Sequence, residues 1–228
     1  MKQLLESVPS LVTLSVTVCF VIFHYFFRSE SIKHMFRGGV PIEVQRLSTY
    51  GQRVAGFFSL GVVPGIIAWC LGLSVSELGL GCGALDVSGG LVLAVLVIVL
   101  PVLKIQSRLP KALEEYPEIR ALNWTIRDHL LNGATWCLYL VSYEFFFRGF
   151  LLFTLYSAFG LWPAICLSTV AYVFAHLDKP ASETIGSIPI GLLFGWVALT
   201  SGTIWGPVIA HCIIAIANDL FCYQRRSS

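Results

Sequence analysis

Residues 133–159 read GATWCLYLVSYEFFFRGFLLFTLYSAF, and this stretch decides the fold class. It is mostly apolar and long enough to cross a bilayer, which needs about 20 helical residues. Glu144 and Arg148 stand in its middle. A charged side chain inside a membrane span normally faces a protein interior or a water-filled cavity and marks function. Because they are four residues apart, the two lie on one helix face and can form an ion pair. The alternative to a functional role is that this pair serves only to pack the helix against its neighbours.

The composition of the whole chain agrees with a membrane protein. Of 228 residues, 56% are hydrophobic and 12% are charged, whereas about a quarter are charged in soluble domains. The sequence therefore predicts an all-α, polytopic membrane helical bundle that contacts membrane lipid, and it gives no sign of a nucleic-acid partner. The seven cysteines are scattered without a C-x-x-C spacing, so they predict neither a disulfide framework nor a zinc knuckle.

Apolar runs along the chain predict about seven transmembrane helices plus short interfacial helices. The predicted spans are 8–27, 54–73, 89–103, 133–159, a fifth that ends at 177, 185–200 and 203–222. Residues 104–129 are charged and are interrupted by Pro110 and Pro117, a pattern that favours short amphipathic helices at the membrane surface. A turn is predicted at 38–41.

The basic residues are segregated between the two sides of this arrangement. Seven alternating spans place segments 28–53, 104–129, 178–184 and the C-terminus on one side, and these hold thirteen of the fifteen Lys and Arg. Because cytoplasmic loops are enriched in Lys and Arg, this side is predicted to be cytoplasmic and the N-terminus to lie outside.

Few polar residues lie within the later spans, and four of them suit water activation. Glu144 is a candidate general base, His176 a group that orients water, and His211 and Asn218 donors to an oxyanion. Asn218 follows His211 by two helical turns and so lies on the same face. Alternatively, Glu144, His176 and His211 are a ligand set for a divalent metal such as zinc. The spacing leaves both chemistries open.

The same residues carry a resemblance to a known family. Glu144-x-x-x-Arg148-Gly149 among aromatics, Ala175-His176-Leu177, and Pro207-x-x-x-His211 occur in this order. Together they resemble the CPBP family of intramembrane endopeptidases, which includes the CAAX prenyl proteases and bacterial proteins of bacteriocin immunity and peptide processing. We therefore expect N-terminal helices over 1–107 and a CPBP-like core over 108–228, in a bacterial plasma membrane.

The resemblance implies hydrolysis of a membrane-associated peptide, prenylated or signal-like, by water activated through Glu and His. The family motif has two adjacent glutamates, and Tyr143 stands where the first would be, beside Glu144. In the family that first glutamate is associated with activating water. The sequence therefore supports two functions: an intramembrane protease, or a catalytically impaired relative that binds a membrane peptide or protein as an immunity or assembly factor.

Overall fold

The computed structural model describes residues 2–27, 41–177, 179 and 181–227, and all regular secondary structure in these residues is helical. This confirms the predicted all-α membrane bundle. The helices are α1 (Lys2–Phe27), α2 (Ile42–Cys70), α3 (Leu85–Gln106), α4 (Pro110–Glu115), α5 (Ile126–Phe159), α6 (Leu161–Phe174), α7 (Ala181–Ser201) and α8 (Trp205–Arg226).

Six of these helices are long and apolar enough to cross a membrane: α1, α2, α3, α5, α7 and α8. The apolar run at 89–103 lies within α3. Its many Val, Leu and Ile residues would also suit a buried strand, but the run is helical. The predicted fifth span corresponds to α6, which has only 14 residues. Because a helix rises about 1.5 Å per residue, α6 extends for about 21 Å, short of a hydrocarbon core about 30 Å thick.

Helix α5 lies at the centre of the protein. It has 34 residues, and 83% of the residues in its apolar 18-residue stretch are buried, against 39% or less in the other five long helices. The phenylalanines that follow Glu144 pack into the main core, where Phe146 and Phe150 have no exposed surface. This core also contains Val12 and Leu60 from the N-terminal helices. The predicted division of the chain at 107/108 stays a prediction.

The start of α5 differs from the prediction. The helix begins at Ile126 rather than Gly133, because Thr125 and Asp128 form a capping box. The Thr125 backbone N–H donates to the Asp128 carboxylate at 2.9 Å, and the Asp128 N–H donates to the Thr125 hydroxyl at 3.3 Å. Such a box satisfies N–H groups that lack a partner in the first turn. The end of the predicted interfacial segment 104–129 therefore belongs to the long helix α5. Within the described residues of this segment, α4 is the short helix that corresponds to the prediction.

Helix α2 also begins earlier than predicted, at Ile42, so half of the predicted basic segment 28–53 is helical. Residues 28–40, with most of the turn predicted at 38–41, lie outside the described residues. Arg53 was expected in the cytoplasmic loop, but only 4% of its surface is exposed. It lies inside the bundle because acidic and amide partners surround it there, as described below.

Small residues let α2 and α5 approach closely. A methyl group added at Gly61 would lie 2.4 Å from the hydroxyl oxygen of Ser142. Close helix contact through small side chains is a common feature of membrane bundles. A turn of π-helix over Phe58–Val62 precedes Pro64, and the helix continues through this proline as the sequence predicted. The close contact between Gly61 and Ser142 places α2 directly against the part of α5 that carries Glu144 and Arg148.

Candidate functional site

Glu144 and Arg148 lie on α5 where the α-helix passes into a π-helical segment, Phe145–Leu152. Glu144 has no exposed surface and Arg148 has 2%. One guanidinium nitrogen, Nη1, lies 3.2 Å from Glu144 Oε1 and 3.1 Å from Oε2. The predicted ion pair is thus formed within the helix. A buried ion pair needs such close geometry because both groups have lost their contacts with water.

The Glu144 oxygen that accepts the hydrogen bond from Arg148, Oε1, also contacts His211. Helix α8 brings the Nδ1 of His211 to 2.6 Å from Glu144 Oε1. About 17% of the His211 side chain is exposed, in contrast to the fully enclosed glutamate. Glu144, Arg148 and His211 form a unit that we call the Glu144 cluster. Within it the arginine supplies the opposite charge of the carboxylate, and the carboxylate fixes the orientation of the imidazole.

His176 lies just beyond the end of α6, in the turn that follows Phe174. Its Nδ1 is 2.9 Å from the backbone carbonyl oxygen of Tyr172, one turn earlier. A carbonyl oxygen only accepts hydrogen bonds, so Nδ1 is the nitrogen that carries the proton in the neutral ring. The ring of Tyr172 lies 4.5 Å from that of His176 and also faces the Arg148 guanidinium, whose carbon is 4.0 Å from the ring centre. Tyr172 thereby connects α6 to the Glu144 cluster.

Tyr143 faces both histidines. Its ring centre lies 5.7 Å from that of His211 and 6.3 Å from that of His176, each in an edge-on arrangement. Only 5% of the residue is exposed. The structure therefore brings together three of the four predicted site residues, Glu144, His176 and His211. They surround the phenol ring at the position where the resemblance expects a glutamate.

Asn218 does not join this group. Among the described residues it forms no hydrogen bond to Glu144 or to either imidazole, and the buried residue of the pair is its neighbour Asp219, 1% exposed. Asp219 Oδ2 accepts hydrogen bonds from Trp136 Nε1 at 2.7 Å and Asn132 Nδ2 at 3.0 Å. Consecutive helix positions point about 100° apart, so only one of the two faces α5 here.

Asp219 belongs to a second polar group that the sequence reading missed. Arg53 of α2 lies 3.7 Å from its carboxylate, donates to the Asn132 side chain at 2.9 Å, and pairs with Glu118 at 2.9 Å. The guanidinium also covers the Trp136 ring at 3.9 Å. We call Arg53, Glu118, Asn132, Trp136 and Asp219 the Asp219 cluster. The signal in the sequence was Asn132 and Arg53 at the ends of apolar runs, which resemble ordinary interfacial residues.

The two clusters define how α5 and α8 run. Glu144 contacts His211, and Trp136, eight residues earlier, contacts Asp219, eight residues later. The helices are therefore antiparallel, and the two contacts are about 12 Å apart along each axis. The Asp219 cluster thus lies at one end of an interface whose other end is the histidine–glutamate contact.

The alternative in which Glu144, His176 and His211 bind a divalent metal stays a prediction. The residues that the structure describes contain no group of three or more His, Cys, Asp or Glu side chains placed to hold one. A catalytic zinc ion is held by three protein side chains and keeps its fourth position for water or substrate. Here Glu144 already binds Arg148 and His211, and the Nδ1 atoms of His176 and His211 both point at acceptor oxygens.

An apolar pocket lies next to the site, between α1 and α6. Its volume is about 570 Å³, and its lining includes Phe20, His24, Phe147 and Phe174. Phe147 forms part of the wall, and its ring centre lies 4.8 Å from that of Tyr143 in a tilted arrangement. The pocket and the polar site therefore share a boundary of two aromatic rings.

The fold and the polar cluster define a class: a multi-pass integral membrane protein with a carboxylate–imidazole pair buried among its helices. Comparison with known families narrows it further. Residues 129–217, which include Glu144, His176 and His211, match the family model described as type II CAAX prenyl endopeptidase Rce1-like. This match covers less than half of the chain, and it supports the resemblance to the CPBP family of intramembrane proteases. No curated protein and no solved structure matches the chain.

Proposed function

We propose that the protein is an intramembrane endopeptidase that hydrolyses a peptide bond in a membrane-associated peptide, with His211 as the base that activates water. The observation that carries the proposal is the 2.6 Å contact between His211 Nδ1 and Glu144, in the segment that matches a protease family. A carboxylate that holds an imidazole by Nδ1 is the arrangement that serine hydrolases use to direct a histidine base.

The contact assigns the two nitrogens of His211 different roles. Because the Glu144 carboxylate only accepts hydrogen bonds, Nδ1 carries the proton and Nε2 keeps its lone pair. His211 is partly exposed, whereas Glu144 is fully enclosed. Water in the site can reach the imidazole and not the carboxylate. We therefore assign the role of base to His211 and a positioning role to Glu144, in place of the expectation from sequence that Glu144 is the base.

The reaction follows from these roles. His211 Nε2 takes a proton from a water molecule while the water oxygen forms a bond to the scissile carbonyl carbon, whose oxygen becomes negative. His176, whose Nδ1 is held by the Tyr172 carbonyl, accepts a hydrogen bond at Nε2 from the second O–H of the water, which stays on the oxygen, and so orients the water. The imidazolium of His211, stabilised by Glu144, then gives its proton to the leaving nitrogen as the carbon–nitrogen bond breaks. The products are a carboxylic acid, which ionises, and an amine.

The neighbouring pocket supports a substrate with a hydrocarbon chain. Its walls are mainly aromatic and aliphatic, and Phe147 connects it to Tyr143 of the site. A chain in this pocket would place an attached peptide beside the histidines. Together with the prenyl endopeptidase description of the matched family, this supports a prenylated peptide over a signal-type peptide.

One observation favours a second function, binding without hydrolysis. Tyr143 takes the position of the glutamate that the family associates with water activation, and the remaining Glu144 has no exposed surface. A protein with this site and no turnover would still hold a membrane peptide between the histidines and the pocket. It would then act as an immunity or assembly factor.

The experiment uses the purified full chain in detergent with a synthetic peptide that ends in the C-a-a-X pattern, prepared with and without a prenyl group on the cysteine. The variants are His211→Gln and, as a matched control, His129→Gln, which changes an exposed histidine that packs against Trp124 outside the site. We expect wild type and His129→Gln to cleave the prenylated peptide and His211→Gln to lose about 10²–10⁴-fold in rate. Tight binding of the peptide without any cleavage would instead establish the second function.

A further inference from the structure

The hydroxyl of Tyr143 is a polar group in the site to which the proposed reaction has so far given no role. It makes no hydrogen bond to another described residue. The hydroxyl of Tyr50 is fully enclosed without a partner, whereas that of Tyr143 is not fully enclosed. Since only 5% of the residue is exposed, the hydroxyl must keep a small accessible surface inside the bundle. The ring that carries it lies edge-on to the imidazoles of His211 and His176.

The ring that carries this hydroxyl is held on several sides. Tyr139 and Phe147, one turn away on α5, lie at 5.6 and 4.8 Å, and Tyr172 of α6 lies at 5.9 Å. Aromatic contacts of this length fix the direction of a ring without bonding its hydroxyl. The hydroxyl is therefore oriented before any substrate binds, which is what makes a hydrogen-bond donor effective in a transition state.

Peptide hydrolysis at this site needs such a donor. When water attacks, negative charge develops on the carbonyl oxygen and must be stabilised. The ring N–H groups of both histidines are already committed, that of His211 to Glu144 and that of His176 to the Tyr172 carbonyl. The Arg148 guanidinium is 2% exposed and lies over Tyr172. A phenol O–H at position 143 can donate, whereas an ionised glutamate there can only accept.

We propose that the Tyr143 hydroxyl donates a hydrogen bond to the carbonyl oxygen of the scissile peptide bond and stabilises the oxyanion that forms on it. This role rests on the proposed function and adds a catalytic residue to it. It assigns position 143 a task other than the one a glutamate performs: the residue stabilises charge on the substrate and His211 takes the proton from water. The exchange of glutamate for tyrosine is then a change of mechanism within a working site.

The test is Tyr143→Phe, which removes one oxygen and keeps the ring that packs between Tyr139 and Phe147. Tyr139→Phe is the matched control, because it makes the same change at a buried tyrosine one turn away. We expect kcat of Tyr143→Phe to fall about 10²–10³-fold, the effect of removing one oxyanion donor, with KM and melting temperature unchanged. Tyr139→Phe should keep kcat.

A second measurement separates catalysis from packing. A phosphonate analogue of the peptide carries a charged oxygen where the oxyanion forms, so its affinity should fall in Tyr143→Phe by a factor similar to that in kcat, while the affinity for uncleaved peptide stays constant. Wild-type kcat in Tyr143→Phe would overturn the role of Tyr143 and leave the proposed function intact. A wild type that cleaves no peptide would overturn both.

Discussion

At the scale of single residues, the site centres on a buried pair of opposite charges. Glu144 and Arg148 are both buried, and the carboxylate contacts one guanidinium nitrogen and one imidazole nitrogen. A buried ion pair contributes little net stability compared with apolar packing, but removal of one partner leaves an uncompensated charge. Loss of either partner should therefore destabilise the protein by more than the pair itself contributes to stability.

Replacement of Glu144 by glutamine should reveal this dependence. The amide keeps the shape of the side chain but leaves the Arg148 charge buried without a counter-charge, which costs about 3–5 kcal/mol. We expect Glu144→Gln to lower the melting temperature in detergent. Glu114→Gln, the same change at an exposed residue of α4, should have almost none of this effect. Equal melting temperatures for the two variants would contradict the buried ion pair.

The sequence predicted part of this site and missed part of it. The spacing of Glu144 and Arg148 within an apolar run was enough to predict their pairing. The approach of His211 to Glu144 depends on how α8 is rotated against α5. Spacing along the sequence does not specify this rotation. For the same reason Asn218 was selected over Asp219, although the hydrogen bonds of Trp136 and Asn132 go to Asp219.

At the scale of helices, the Asp219 cluster sets the position of α8. It links α2, α5 and α8 through Arg53, Trp136 and Asp219, two helical turns from the contact between Glu144 and His211. Because α8 is one continuous helix over Trp205–Arg226, its register at Asp219 determines where His211 lies. The cluster therefore maintains the geometry of the site from about 12 Å away.

Neighbouring residues offer a matched test of this role. Asp219→Ala removes the acceptor of two buried hydrogen bonds and takes away the buried counter-charge of Arg53, which keeps the partly exposed Glu118. We therefore expect a loss of about 3–5 kcal/mol in unfolding free energy. Asn218→Ala should change stability by no more than about 0.5 kcal/mol. Chemical denaturation in detergent measures both. A larger effect at Asn218 than at Asp219 would contradict the observed rotation of α8.

Helix boundaries show why the sequence predicted the elements better than their ends. The apolar runs correspond to the helices because a span must satisfy its own backbone hydrogen bonds in lipid. The ends depend on local caps and on buried partners. The capping box of Thr125 and Asp128 extends α5 to Ile126, and the partners of Arg53 draw a charged stretch of α2 into the bundle.

At the scale of the whole molecule, the open prediction is the topology. The segregation of basic residues predicts seven crossings with the N-terminus outside, which requires the 14-residue α6 to cross. Its short length is compatible with crossing if the bilayer thins locally or if flanking residues reach the surface. Arg53 no longer counts as a loop residue, but the remaining basic residues keep the same segregation.

Reporter fusions measure the topology directly. We expect fusions after residues 80 and 160 to report from outside the cytoplasm, and fusions after residues 120 and 180 to report from within it. The pair at 160 and 180 brackets α6. Signals from the same side at these two positions would show that α6 does not cross, and a cytoplasmic signal at 80 would contradict the whole arrangement.

The central claim is that Glu144 acts through His211, and a double-mutant cycle for peptide hydrolysis tests it most directly. The rates of wild type, Glu144→Gln, His211→Gln and the double variant are compared at saturating prenylated peptide. Residues that act as one unit have strongly non-additive effects. We predict that the double variant is about as slow as His211→Gln alone. Independent, additive losses from the two substitutions, or a His211→Gln variant with the wild-type rate, would contradict the account.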